Sequence, residues 1–312
     1  MTSLENNPTQ IIQNNHWRSL LVFVLLFIVS NVISQLIGGL AAVLVADVPF
    51  SQLERVFAPP YTEKSKYVLY VAQGLGHLLG FTIFSLIFIR KVDGQFLSSH
   101  FNKKRFNFNA AFLVVGITFS FMLFNSIVIE WNMNIDFPEF LSGFEQWARS
   151  TEDQLIGLTA LLSSYANIGE MFIALIVIGI FPAIGEELVF RGLLQNKLYA
   201  IAKNPHIAIW VAAIIFGAFH LQFYGVVPRI FLGALFGYLY FYSGNIWYPI
   251  IAHFVNNGLA VIIMYIGPLV DDNWDPSSVD TEMPIYMSLI AMVVCVLLGR
   301  KFFTNMKATE NV

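Results

Sequence analysis

Eight apolar runs, broken by charges, prolines or Asn/Asp clusters, dominate the chain and set what it can fold into. A helix needs about 20 mainly apolar residues to cross a bilayer, where each backbone polar group must be satisfied within the segment. The runs are Leu20–Ala46, Tyr67–Ile89, Ala110–Ile129, Ile168–Phe190 (with a helical extension toward Ala202), Ile207–Gln222, Val226–Tyr242, Ile246–Ile266 and Pro284–Phe303. Charged residues make up 12% of the 312 positions, against about 25% in soluble domains. The expected fold is therefore all-α: a polytopic membrane protein with about eight transmembrane helices. The fifth and sixth runs are short, so their connection is weakly defined. The first run exceeds the apolar region of a secretory signal and lacks a clear basic flank, so it reads as a retained helix. One membrane domain over residues 1–312 is the simplest organisation.

Composition narrows the function classes. Cys295 is the only cysteine, which excludes a disulfide scaffold, and 17 Lys plus Arg against 20 Asp plus Glu leave no basic excess for nucleic acid. Basic residues favour the cytoplasmic side. With the N-terminus inside, 12 lie on the inner flanks: Arg18, Arg90, Lys91, Lys103, Lys104, Arg105, Arg191, Lys197, Lys203, Arg300, Lys301 and Lys307. Only 5 lie outside: Arg55, Lys64, Lys66, Arg149 and Arg229. The expectation is an integral protein of the cell (inner or plasma) membrane with both termini cytoplasmic and the acidic run Asp271, Asp272, Asp275, Asp280 and Glu282 outside. Between the third and fourth runs, Phe137, Leu141, Phe144 and Trp147 recur at spacings of 4, 3 and 3. That stripe suits a helix starting near Pro138 and lying at the membrane interface, or an external loop packing its aromatics.

Ionisable side chains inside a bilayer cost at least about 2.5–3.5 kcal/mol each, so they need a reason to be there. An apolar run ends in Glu186-Glu187, with Arg191 one helical turn after Glu187. Glu187 and Arg191 share a face and fall within ion-pair reach, whereas Glu186 points about 100° away. A paired Glu187 would orient the site, and a desolvated Glu186 would suit general-base work. Both could equally cap a helix end in water. Phe216-x-x-x-His220 and His253-x-x-x-Asn257 add polar groups to two further runs, where interhelical contacts are the bland alternative. At about 1.5 Å per residue, Glu187 lies about 22 Å from Ala202 and His220 about 21 Å from His206, but His253 only about 12 Å from Asn245. The third depth matches only if the turn Ser243-Gly244-Asn245 dips inward or the helices tilt. Gly233 and Gly237 form a GxxxG match, read mainly as internal packing. His77, in Gln73-Gly74-Leu75-Gly76-His77, reads as a core or interhelical histidine.

The ordered set Glu186-Glu187-x-x-x-Arg191, Phe216-x-x-x-His220 and His253-x-x-x-Asn257 resembles the motifs of the CPBP family of intramembrane proteases, which includes CAAX-prenyl endopeptidases and bacteriocin-processing or immunity proteins. The resemblance covers about Ile180 to Gly258, within a motif-bearing core of about 168–268. It implies eight helices around a cytosol-facing polar cavity and an intramembrane endopeptidase acting on a membrane-associated peptide or protein, prenylated or of leader type. It also implies that Glu186 acts with His220 to activate a water, that His253 and Asn257 stabilise the oxyanion, and that Glu187 and Arg191 support the site. No cofactor is favoured. Zinc on Glu186, His220 and His253 is the alternative, although the chain lacks the His-Glu-x-x-His spacing. A non-catalytic membrane immunity or partner-binding protein could use the same polar groups for packing or peptide grip, and a proton-coupled transporter is a third class. The oligomeric state is left open.

Overall fold

The computed structural model describes residues 15–45, 62–96, 106–271 and 283–308. Ala46, Arg55, Lys103, Lys104, Arg105, Asp272, Asp275, Asp280 and Glu282 lie outside the described residues. Among those described, the long elements are all helices: α1 His16–Val45, α2 Lys64–Val92, α3 Phe108–Met133, α4 Ser142–Leu162, α5 Ile168–Ala202, α6 Pro205–Phe219, α7 Val226–Ser243, α8 Trp247–Val270 and α9 Ile285–Ala308. Seven are long and apolar enough to cross a membrane, α4 and α6 being the exceptions. The protein is an integral membrane protein.

The sequence marks many of the ends. Asn107 and Asn167 accept backbone N–H bonds at the starts of α3 and α5, and Thr62 forms a reciprocal cap with Ser65 at the start of α2. Lys203 and Gly244, in the left-handed region at φ 54° and 60°, stop α5 and α7. Asn204 then caps α6, with Pro205 in its first turn, where a missing N–H costs nothing.

Helix α6 is shorter than its apolar run. Its 15 residues rise about 22 Å, less than the roughly 30 Å hydrocarbon core. It ends at Phe219 rather than at the expected Gln222, because Leu221 adopts φ 54° and turns the chain. His220 is left as the C-terminal cap of the helix. Helix α5 is not uniform: π-helical turns over Leu175–Ile180 and Leu188–Gln195 flank an α-helical turn, Phe181–Glu187. Such wide turns are frequent at functional sites; Pro182 has no N–H for the Ile178 carbonyl four residues earlier, and Asn257 Nδ2 donates to that carbonyl instead at 3.0 Å.

Two buried ion pairs tie α2 to α5. Lys66 Nζ meets Glu170 Oε2 at 2.8 Å near the start of both helices, and Lys197 Nζ meets Asp93 Oδ2 at 3.0 Å near their ends. On each helix 27 residues separate the paired positions (93 − 66 and 197 − 170), so the two helices run parallel. Helix α4 starts through a short turn, Glu139–Leu141, after Pro138, and carries the last two stripe residues, Phe144 and Trp147. The stripe divides: Phe144 packs on Phe137 and Phe223, while Trp147 is 52% exposed.

Close approach depends on glycine at defined places. A Cβ on Gly38 of α1 would run into the Ala72 carbonyl of α2, whereas one on the adjacent Gly39 would meet open space. Gly38→Ala should therefore destabilise the protein by about 1–3 kcal/mol, with Gly39→Ala close to neutral. Thermal unfolding in detergent micelles checks the pair, and equal effects would contradict this packing. Gly233 and Gly237 face Ala213, Phe216 and Ile209 of α6 inside the chain, so the GxxxG match is an internal contact.

Candidate active site

Glu186 and Glu187 stand together in the middle of α5, and their divergence on the helix gives them different partners. Glu187 Oε1 accepts from Arg191 Nη1 at 2.7 Å and from His253 Nδ1 at 2.7 Å. Arg191 Nη2 donates to the Gly233 carbonyl at 2.9 Å, and its guanidinium lies between the rings of Phe216 (4.7 Å) and Phe236 (5.2 Å). Arg191 and Glu187 are 1% and 0% exposed. Arg191 is therefore not a flanking charge of the kind that sets orientation: its charge is neutralised inside the protein.

Glu186 is placed between imidazoles. Its Oε1 lies 3.3 Å from His77 Nε2 on α2, and its Oε2 lies 3.8 Å from His253 Nε2 on α8. The Oε2 atom is buried and makes no hydrogen bond to the protein. His253 is fixed by stacking on Phe236 at 5.2 Å between centroids. His220 interacts electrostatically with Glu186, and its ring packs edge-on against Phe216, as that of His253 does.

Hydrogen-bond partners decide what each ring can offer. His220 Nδ1 sits 2.9 Å from the Phe216 carbonyl. A carbonyl only accepts, so Nδ1 carries the proton and a neutral His220 presents Nε2 as an acceptor. His253 Nδ1 faces a carboxylate and so donates, which leaves Nε2 able to donate only when the ring is an imidazolium. Asn257, one turn after His253, donates through Nδ2 to the Ile178 carbonyl at 3.0 Å and accepts from Asn256. Its amide keeps one further N–H.

The depth conflict for His253 is resolved by the turn between α7 and α8. Ser243 and Asn245 are 0% and 1% exposed, so this turn is buried in the protein, and Gly244 lines a cleft with Gln195, Asn196 and Tyr199, before the last residues of α5. His253, six residues into α8 (253 − 247), thereby reaches Glu187.

One expectation changes. A cavity of about 430 Å³ opens between α1, the end of α2 and α5, lined by His16, Asp93, Asn196 and Lys197 among others, and none of Glu186, His220 or His253 lines it. The polar groups expected around an open cavity are instead closely packed among Phe81, Phe216 and Phe236, and the Glu186 side chain keeps only 12% of its surface exposed. His77 is an interhelical histidine, as its place in an apolar run suggests, and its partner is Glu186. It shares with His220 the signal that found that residue, an ionisable group inside an apolar helix, but it belongs to no spaced motif.

Among the described residues no three His, Cys, Asp or Glu side chains come together closely enough to hold a metal ion. Beyond the site, Glu152 of α4 accepts from Gln222, which in turn accepts from Arg229 at 2.6 Å, so α4 is tied to the turn that follows His220. Burial pushes the Glu152 carboxyl up, and Arg229 beside it pulls it back.

Residues 168–259 match the family model described as type II CAAX prenyl endopeptidase Rce1-like. The motif-bearing core is similar to that family. The match contains Glu186, Glu187, Arg191, His220, His253 and Asn257, so the resemblance carried by the motifs holds across this Rce1-like segment. Two proteins of Bacillus subtilis (strain 168) are similar to part of this chain. One, named "Putative membrane peptidase YdiL", is 33% identical over 95 residues, which is 30% of this chain and 38% of that protein. The other, the uncharacterized protein YpbD, is 31% identical over 85 residues, or 26% of this chain and 40% of its own length. The alignments thus span about two fifths of these relatives. No solved structure matches the chain. His77 lies outside the Rce1-like segment, on a helix that the family match does not reach.

Proposed function

We propose that this protein is an intramembrane endopeptidase that hydrolyses a peptide bond in a membrane-associated substrate, with Glu186 as the general base. The observation that carries the reading is the meeting of α5, α6 and α8 around Glu186, whose Oε2 is buried and free of protein hydrogen bonds. In the proposed reaction, Glu186 Oε2 takes a proton from a water held by His220 Nε2, and the water oxygen adds to the scissile carbonyl carbon. The resulting oxyanion is met by His253 Nε2–H and by the remaining N–H of Asn257. Glu186 then passes its proton to the leaving amine as the C–N bond breaks. His253 stands between the two carboxylates, with Nδ1 bonded to Glu187 and Nε2 3.8 Å from Glu186 Oε2. Low dielectric around the packed aromatics strengthens both oxyanion contacts.

The Rce1-like core and the peptidase name of one relative support this class of activity. The proposed substrates are prenylated C-terminal or leader-type peptides delivered along the bilayer, in the cell membrane with both termini of the protein cytoplasmic. No metal takes part in the proposed steps. Comparing membrane peptides by quantitative proteomics between cells carrying wild type and Glu186→Gln should reveal peptides that accumulate uncut only in the variant. Identical peptide profiles at equal expression would contradict the assignment and favour a non-catalytic grip on a partner.

A further inference from the structure

Resting on that peptidase reading, we infer that His77 of α2 is a positioning residue for the general base, holding Glu186 Oε1 through its Nε2–H so that Oε2 is left to take the proton from water. Three observations place it. His77 Nε2 is the one protein group within hydrogen-bond distance of either Glu186 oxygen among the described residues, at 3.3 Å. The imidazole is fixed in a slot: it stacks on Phe81 at 4.2 Å with an interplanar angle of 5°, and only 16% of the side chain is exposed. The slot exists because Gly185, the residue before the base, has no Cβ; one placed there would come within 2.8 Å of His77 Cε1 and 2.7 Å of Phe81 Cβ.

A carboxylate that acts as base needs a fixed orientation, and a buried one needs a donor for the oxygen it does not use. Donation from Nε2 sets the tautomer, with the proton on Nε2 and a bare lone pair on Nδ1. Nδ1 is buried with no hydrogen-bond partner, which costs less as an unused acceptor than as an unused donor. His77 keeps its proton throughout the reaction and touches neither water nor substrate. Its place is fixed from outside the motifs, because the ion pairs Lys66–Glu170 and Asp93–Lys197 hold α2 against α5 on either side of it. The base of this site is thus oriented by a helix that the Rce1-like match does not include.

The test uses the full-length protein in lipid nanodiscs and two readouts. The first is cleavage of an internally quenched peptide with a prenylated cysteine near its C-terminus, by wild type, His77→Phe and His77→Gln, with Glu186→Gln as the blank. Phenylalanine keeps the ring that stacks on Phe81 and removes the donor; glutamine restores a donor amide. His77→Phe should lower kcat about 10- to 100-fold with KM within about twofold, and His77→Gln should recover most of the loss. A folded His77→Phe with unchanged kcat, a loss confined to KM, or equal losses in both variants would overturn the inference. The second readout needs no turnover: nitrogen-15 histidine spectra, with the His77 signals assigned by their absence in His77→Phe. They should show a protonated Nε2 that shifts on Glu186→Gln, and a protonated Nδ1 or an unmoved Nε2 would overturn the inference. Should wild type leave the peptide uncut, the reading of the protein as a prenyl-peptide protease fails, and the spectra alone decide on His77.

Discussion

Replacing Glu186 with Gln is expected to lower the cleavage rate by on the order of 10²–10⁴-fold while leaving the protein folded and inserted. Glutamine is nearly isosteric and can still meet His77 Nε2, now through its amide oxygen, so packing around Phe81 and Phe216 survives. What it loses is the ability to accept a proton from water. Glu187→Gln separates the two roles. Its carboxylate receives both Arg191 and His253, so that variant should unfold more easily as well as cleave more slowly. Cleavage rates and thermal unfolding in the same detergent separate the two outcomes. Full activity in Glu186→Gln would remove the base from the mechanism.

The second large effect is on stability. Arg191→Ala should destabilise the protein by about 3–5 kcal/mol, because it leaves Glu187 charged, 0% exposed, and reliant on His253 alone. It also empties the space between Phe216 and Phe236 and frees the Gly233 carbonyl. Arg191→Lys recovers the charge and cannot recover both contacts at once, since a single ammonium lacks the planar fork that reaches Glu187 and Gly233 together. Thermal unfolding should rank wild type above the lysine variant and the lysine variant above alanine. An alanine variant within about 1 kcal/mol of wild type would mean that the pair behaves as an exposed one.

Much of this arrangement is legible in the sequence, for reasons that can be named residue by residue. The apolar runs report helices because a bilayer leaves the backbone few options. The i, i+4 spacing of Glu187 and Arg191 reports their contact because a helix turns once in about 3.6 residues. Divergence of Glu186 from Glu187 follows from the same geometry and gives them separate partners. Depth is harder: His253 looks too shallow until the burial of Ser243 and Asn245 is known, and nothing local in Ser243-Gly244-Asn245 says which way the turn points. The end of α6 is three residues short of its apolar run, because apolarity does not report that Leu221 takes a left-handed conformation. His77 shows the limit most clearly. Its partner is 109 positions away, and only the packing of α2 on α5 gives the contact a meaning.

Proteoliposomes of purified protein, treated with a metal chelator and supplied with an internally quenched prenylated peptide, give the most direct test of the claim that Glu186, His220 and His253 form one hydrolytic centre. Wild type should cut the peptide under chelation, and Glu186→Gln and His220→Ala should not. Equal cleavage by all three, or wild-type cleavage that returns only on adding zinc, would contradict the account.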